Sequence, residues 1–236
     1  MTNINKKHYI IGAVLIALAF AAQPFTFYAM QRYVAPKVIP QPGQVAEVDV
    51  KGLEMPADEV RHLRGNKDAK IYLVEFIDYE CYFCNQFHNT ITNIFNNSNG
   101  KVALVHKHFP LSSIHPHATN AAIASECVSK LSGNDNFWKY TDTLILNNKT
   151  FSDDYFKQEA IKLGIKQSDF SACIADAAIK DIVDKDQSVG TSLGVQGTPF
   201  TLVVKNEGGK LEVLDSINGA QPESVVQALV DKYLAE

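Results

Sequence analysis

The sequence predicts an α/β fold into which a long all-helical segment is inserted. An apolar run over 71–77 predicts a strand that passes directly into a helical pattern. Strand patterns return at 102–108 and again only after residue 199, and an amphipathic helix over 221–234 closes the chain. Because strands and helices pack in layers around a shared core, we expect the helices of about 116–192 to be an insertion into an α/β domain.

Composition and charge exclude several classes of protein. The chain has 236 residues, of which 20% are charged, and its net charge of −4 comes from mixed acidic and basic residues. A block of basic residues is absent from the sequence, which argues against nucleic-acid binding. Four cysteines are too few to build a disulfide scaffold, so the fold must depend on an apolar core.

Residues 1–33 are typical of an export signal. Lys6 and Lys7 precede an uncharged apolar run that begins at Tyr9. Two outcomes stay open: cleavage near Ala21 as a signal peptide, or retention of 9–30 as a membrane anchor, since about 20 residues span a bilayer. Both place the rest of the chain outside the cytoplasm, in the periplasm or at the cell exterior, with or without a tether to the inner membrane.

A spacer is expected between this signal and the folded domain. Residues 34–65 contain Pro36, Pro40 and Pro42 and few apolar anchors, which indicates a semi-extended linker. We expect one short helix over 56–63 and a folded domain from residue 66 to 236.

A Cys-x-x-Cys motif follows the strand over 71–77. Cys81 and Cys84 open an amphipathic helical pattern, and this context favours redox chemistry. Free backbone N–H groups and the positive end of the helix dipole would stabilise a thiolate there. The alternatives are an inert disulfide or half of a zinc site. Zinc requires two more ligands and His88 supplies only one, so we expect no metal and no cofactor.

The remaining patterns complete the fold. Ser152 and Ser168 are placed to cap helices, and Glu207-Gly-Gly209 predicts a hairpin between two late strands. The other expected elements are helices over 117–131, 137–146, 153–163 and 168–190, and strands over 200–205 and 211–214.

Four segments resemble the DsbA-like family of thiol:disulfide oxidoreductases, from about His62 to the C-terminus. They are Val74-Glu-Phe-Ile-Asp-Tyr-Glu-Cys81-Tyr-Phe-Cys84, Phe109-Pro-Leu111, His115-Pro-His-Ala118 and Gly197-Thr-Pro-Phe200. The resemblance implies a thioredoxin-like fold with an inserted all-helical domain. It further implies that the protein acts on the thiols of other exported proteins.

The resemblance also assigns roles to individual residues. Cys81 would be the exposed nucleophile and Cys84 its buried resolving partner, while Thr198 and a cis Pro199 would face the disulfide. Glu75 matches the buried acid of the family and would take the proton of Cys84. A simple turn at Thr198-Pro199 and a solvent-facing Glu75 are the alternatives.

Three further positions bear on these roles. Tyr82 departs from the proline that many relatives carry after the first cysteine, which bears on oxidising strength. Cys127 and Cys173 fall on apolar helix faces, where an exported protein favours a structural disulfide over free thiols. Capping and surface roles account for His115 and His117.

The expected function is an exported oxidoreductase that forms disulfides through a Cys81/Cys84 couple. Its substrates would be exported protein thiols, and a membrane quinone-linked partner would reoxidise it. A disulfide isomerase or reductase is one alternative, and a chaperone-like peptide-binding module without redox turnover is another. A monomer is expected, since 34–64 is too short for a dimerisation domain.

Overall fold

The structure, a computed structural model, describes residues 50–236. The expected signal peptide or anchor over 1–33 and most of the expected linker lie outside these residues. Within 50–236, no helix has both the length and the apolar character needed to cross a membrane.

One mixed sheet runs through the described residues. Its strands are β1 (Glu54–Met55), β2 (His62–Arg64), β3 (Ile71–Ile77), β4 (Val102–His108), β5 (Phe200–Glu207) and β6 (Lys210–Asn218). Their order across the sheet is β1-β6-β5-β3-β4-β2. β3 and β4 are parallel, and the other neighbouring strands are antiparallel. β3, which leads into the Cys-x-x-Cys, therefore lies at the centre of the sheet.

The helices confirm an α/β fold with a helical insertion. α1 (Tyr82–Asn97) connects β3 to β4, and α7 (Glu223–Ala235) closes the chain. The insertion between β4 and β5 consists of α2 (Ala118–Ser132), α3 (Asn134–Leu146), α4 (Asp153–Lys162), α5 (Gln167–Ile174) and α6 (Ala177–Ser192).

The sheet begins earlier in the chain than the sequence indicates. The expected helix over 56–63 is wrong, because only Ala57–Glu59 form one 3₁₀ turn. β2 pairs with β4, with His62 opposite His106, and β1 pairs with β6. The segment 54–64, expected in the linker, therefore supplies both edge strands. Long-range pairing with β4 and β6 overrides the weak local helical preference.

Both faces of the central strand are covered, since all seven residues of β3 are buried. Leu73 packs in an apolar cluster with residues of α1 and α7. Val74 and Phe76 face the other side, towards α6. A Cβ at Gly190 of α6 would lie 2.8 Å from Phe109 and 3.0 Å from Phe76, so glycine permits the close approach of α6.

A disulfide and a separate apolar core hold the insertion together. Cys127 of α2 and Cys173 of α5 are bonded, with an S–S distance of 2.12 Å. Both cysteines are buried in a cluster that includes Val128 and Phe170. This is the pairing that the sequence favours.

Helix ends within the insertion follow the predictions in part. The Ser152 hydroxyl accepts the N–H of Tyr155 and caps α4, as expected. Ser168 does not cap, because α5 already begins at Gln167. The expected helix over 168–190 is broken at Asp176, whose carboxylate accepts the N–H of Ala178 and caps α6.

Candidate active site

The Cys-x-x-Cys lies where β3 passes into α1. Cys81 is the N-cap of α1, in extended conformation with φ −71° and ψ 123°, and Cys84 lies in the first helical turn. Both thiols are free. Cys81 is less exposed than expected, at 5% against 3% for Cys84. The residues between them, Tyr82 and Phe83, are 61% and 60% exposed.

The surroundings of Cys81 stabilise its thiolate. A hydrogen bond from the Cys84 thiol, partly offset by burial, together with donors from Thr198 and the backbone N–H groups of Phe83 and Cys84, lowers the pKa of Cys81 to about 5. The Thr198 hydroxyl oxygen is buried and has no other hydrogen-bond partner within the described residues. It is therefore free to donate to the thiolate.

The environment of Cys84 has the opposite effect. Burial, together with the thiol contact and the negative charge of Cys81, raises the pKa of Cys84 well above its ordinary value. At neutral pH the pair therefore holds one thiolate, on Cys81, and one thiol, on Cys84. Environments that separate two titrations in this way assign different chemical roles to two like groups.

The loop before β5 forms the opposite wall of the site. The Thr198-Pro199 peptide bond is cis. The Cys81 Sγ atom lies 3.5 Å from the Thr198 carbonyl oxygen, across 117 residues of sequence. The fold thus brings together Cys81, Cys84, Thr198 and Pro199, which the sequence placed in one site.

Glu75 lies buried beneath α1 and not at a solvent-facing strand end. It is 7% exposed, and burial raises its pKa to about 7, with smaller effects of His88, Arg64 and Asp142. Asp142 in turn contacts His88 at 3.2 Å and Arg64 at 2.6 Å. Glu75 is therefore a buried carboxyl group with charged neighbours, unlike the apolar side chains of the rest of β3. Proton transfer from Cys84 to Glu75 stays a prediction.

Asp78 is a site residue that the sequence did not reveal. It follows β3 directly and is 1% exposed. One carboxylate oxygen accepts the N–H of Glu80 at 2.8 Å. The other accepts the N–H of Leu111 at 2.7 Å and lies 2.8 Å from His115 Nδ1. The sequence signal that could have identified it is an acidic residue directly after the apolar strand and three residues before Cys81.

A second polar cluster lies buried beside the insertion. His62 Nε2 and His108 Nε2 lie 2.8 and 2.9 Å from the same Glu126 oxygen. Ligand atoms of these three residues lie within 4.8 Å of one another, so they are the described residues that could hold a metal. Two cations in the same cluster oppose a divalent ion. Arg61 Nη2 lies 4.0 Å from a carboxylate oxygen of Glu126, and both Arg61 and Lys107 contact Asp186.

Glu126 is instead satisfied by its hydrogen bonds. Burial favours its neutral form, but the contacts with His108 and His62 hold its pKa well below the ordinary value. Lys107 is 1% exposed and contacts the carboxylates of Glu59 and Asp186. Since each buried charge has a partner of opposite sign, we interpret the cluster as an ionic network that anchors β2 to the insertion.

Comparison with known proteins agrees with this architecture. The family model described as Thioredoxin matches residues 57–216. The thiol-disulfide exchange protein alpha-DsbA2 from Wolbachia pipientis is 26% identical, with 72% of this chain and 85% of that chain covered and a TM-score of 0.59. BdbD from Bacillus subtilis is 21% identical, with 80% and 100% covered and a TM-score of 0.66, which shows the fold alone.

Curated relatives with sequence similarity are longer proteins. The Na(+)/H(+) antiporter NhaA of Herminiimonas arsenicoxydans is 29% identical over 152 residues, which is 64% of this chain. NhaA 1 of Mycolicibacterium gilvum is 28% identical over 82% of this chain. The chain spans only 24% and 30% of the length of these two proteins. Because the family model covers most of the chain and the solved relatives share its inserted helices, this protein belongs to the thioredoxin family, with the DsbA-like form of its fold.

Proposed function

We propose that this protein is an exported thiol–disulfide oxidoreductase that forms disulfide bonds in other exported proteins. The observation that carries the proposal is the division of the Cys-x-x-Cys into a thiolate at Cys81 and a thiol at Cys84. A thiol with a low pKa is a good leaving group, and stabilising it favours the reduced form of the enzyme. Such a couple transfers its disulfide readily to substrate thiols.

The proposed cycle starts from the Cys81–Cys84 disulfide. A substrate thiolate attacks the Cys81 sulfur, the bond to Cys84 breaks, and Cys84 keeps the electron pair and takes up a proton. A second substrate thiolate then attacks the substrate sulfur of the mixed disulfide and releases Cys81 as a thiolate. The substrate dithiol is oxidised by two electrons, and the enzyme disulfide is reduced by two.

The loop at Thr198-Pro199 supports a role in holding the substrate. It lies against Cys81 and precedes β5. We propose that its backbone pairs with an extended peptide beside the reacting sulfur. Reoxidation of the dithiol would fall to a membrane quinone-linked partner. The export signal expected over 1–33 supports a location outside the cytoplasm, and we propose that the protein acts there as a monomer.

Oxidative refolding tests this function. A reduced, unfolded protein whose activity requires its native disulfides is incubated with the oxidised enzyme, and recovery of activity is followed. Wild type should restore activity with one disulfide transferred per enzyme, and Cys81→Ser should restore none above background.

The same assay separates the alternatives. Recovery only from a scrambled substrate would indicate an isomerase, and reduction of native disulfides would indicate a reductase. If Cys81→Ser suppresses aggregation of the substrate as well as wild type does, without any disulfide transfer by wild type, the protein is a peptide-binding module and the proposal is wrong.

A further inference from the structure

The Cys-x-x-Cys carries no cation of its own. The residues between the cysteines are Tyr82 and Phe83, and Asn85 follows Cys84. A thiolate at the start of α1 therefore depends on hydrogen-bond donors and on charges brought from elsewhere in the fold. One titratable side chain that the fold brings to this end of β3 is His115, which contacts Asp78.

Asp78 connects His115 to the active site. Its side chain accepts a hydrogen bond from His115 Nδ1 at 2.8 Å. Its carbonyl oxygen accepts the N–H of Cys81 at 3.1 Å. One buried residue thus binds both the histidine and the nucleophile. The bond from Nδ1 to Asp78 sets the orientation of the His115 ring beside this residue.

The orientation of Asp78 is fixed independently of His115. Its carboxylate also accepts the N–H groups of Glu80 and Leu111, and the residue is 1% exposed. These bonds hold the Asp78 side chain in one orientation. Asp78 therefore both orients the His115 ring and favours its protonated form.

The charges that act most strongly on His115 are negative. Burial opposes its charged form, but the hydrogen bond and the charge of Asp78, the Cys81 thiolate and Glu80 together raise the pKa of His115 above its ordinary value. Asp78 comes from the end of β3, Glu80 from the connecting loop, and Cys81 from the N-cap of α1. The side chain is 22% exposed, so solvent reduces these effects without removing them.

We propose that His115, oriented by Asp78, supplies the positive charge that stabilises the Cys81 thiolate and sets the oxidising strength of the couple. This deepens the proposed function, on which it rests. His115 is a tuning residue in this scheme, because its charge acts on the thiolate without taking part in bond exchange. Nothing in the sequence distinguishes it from His117, two residues later.

The test is a titration of the Cys81 thiolate in the reduced full-length protein, followed by its ultraviolet absorbance. The surroundings lower the pKa of Cys81 to about 5 and raise the pKa of His115 above its ordinary value, so we expect His115 to stay charged while Cys81 titrates. His115→Gln should raise the pKa of Cys81 by about 1 unit, a tenfold loss of thiolate stabilisation. The redox potential should fall by about 30 mV, which is a tenfold change in the two-electron equilibrium.

His117→Gln is the matched control. It removes a histidine from the same segment, and the His117 side chain does not cap α2. This variant should keep both the pKa of Cys81 and the potential of wild type. An unchanged pKa in His115→Gln, or an equal rise in both variants, would overturn the proposal.

A second measurement needs no variant and guards against a folding defect. The His115 ring is titrated by NMR in the oxidised and the reduced wild-type protein. Because coupling is reciprocal, His115 should have a pKa higher by about 1 unit in the reduced form, where Cys81 carries its charge. Identical values in the two redox states would contradict the coupling.

These titrations require no substrate, so they are decided separately from the proposed function. Loss of refolding activity in Cys81→Ser, combined with an unchanged pKa of Cys81 in His115→Gln, would leave the function in place and reject this inference. If wild type fails to oxidise a substrate but shows the coupled titrations, the proposed function is rejected and the coupling between His115 and Cys81 is kept.

Discussion

The molecule contains two pairs of cysteines that differ in the groups that surround the sulfur atoms. Cys81 and Cys84 are free thiols at a strand-to-helix junction, beside polar donors and exposed aromatic rings. Cys127 and Cys173 are 46 residues apart, bonded to each other, and enclosed by the apolar core of the insertion.

Burial alone does not distinguish the two pairs. Cys81 is 5% exposed and Cys173 is 6% exposed. The difference lies in the groups that meet the sulfur: Cys81 meets the Thr198 loop and the first N–H groups of α1, whereas Cys173 meets side chains such as Phe170. Hydrogen-bond donors and the start of a helix make a sulfur reactive, and an apolar enclosure makes it inert.

The largest expected effect is on catalysis. Cys81→Ser should abolish disulfide transfer, because no nucleophilic sulfur remains to form the mixed disulfide. Replacing Cys127 and Cys173 together by alanine should keep the transfer rate within about twofold of wild type. Both rates are measured by oxidative refolding under the same conditions. A loss of transfer in the alanine pair would mean that the two disulfides are functionally coupled.

The variant in which Cys127 and Cys173 are both replaced by alanine should lose free energy of unfolding. The disulfide closes a loop of 46 residues, and the chain-entropy model assigns such a loop about 4 kcal/mol of unfolding free energy. Urea unfolding of the alanine pair should therefore show a loss of about 2–4 kcal/mol. A loss below about 1 kcal/mol would show that the apolar core of the insertion is sufficient without the bond.

Glu75 provides a test of the polar layer beneath α1. Its pKa rises from 4.5 to about 7 on folding. A raised carboxyl pKa means that stability is fully present below pH 4.5 and is lost as the pH rises through 7. Glu75→Gln should remove this loss. The variant should be more stable than wild type at pH 8 by up to about 3 kcal/mol, and equal to it near pH 4.

Urea unfolding across this pH range checks the Glu75 prediction. Glu207→Gln is a suitable control, because Glu207 is exposed at the hairpin and its replacement should leave the pH profile close to that of wild type. If Glu75→Gln keeps the wild-type decline between pH 4 and 8, another buried group is responsible for it.

The smallest expected effect is on the pKa of Cys81 and comes from Thr198, in the loop opposite this cysteine. Thr198→Val keeps the shape of the side chain and removes the buried hydroxyl, so the thiolate loses one donor. The pKa of Cys81 should rise by about 1 unit. Thr198→Ser keeps the hydroxyl and should stay near wild type. Equal thiolate titrations in the valine and serine variants would exclude the hydroxyl as a donor.

Local patterns explain why much of this site could be predicted from the sequence. The strand over 71–77, the Cys-x-x-Cys and the start of α1 are contiguous, so one stretch of sequence contains both the nucleophile and the helix that supports it. The late Gly197-Thr-Pro199 motif then indicates the opposite wall, which the structure places against Cys81.

The remaining features depend on long-range contacts that a linear pattern does not contain. β1 and β2 have two and three residues, too few for a periodic signal, and their pairing partners lie far along the chain. Asp78 and His115 are 37 residues apart, and only the fold shows that they bond. His62 and Glu126 likewise meet across 64 residues.

The redox potential of the Cys81/Cys84 couple tests the central claim most directly. The protein is equilibrated with glutathione buffers, the thiols are trapped in acid, and the fraction of reduced Cys81 is measured by mass spectrometry. A stabilised Cys81 thiolate predicts an oxidising potential, between about −180 and −120 mV. A potential near −270 mV, typical of a reductant, would contradict the account.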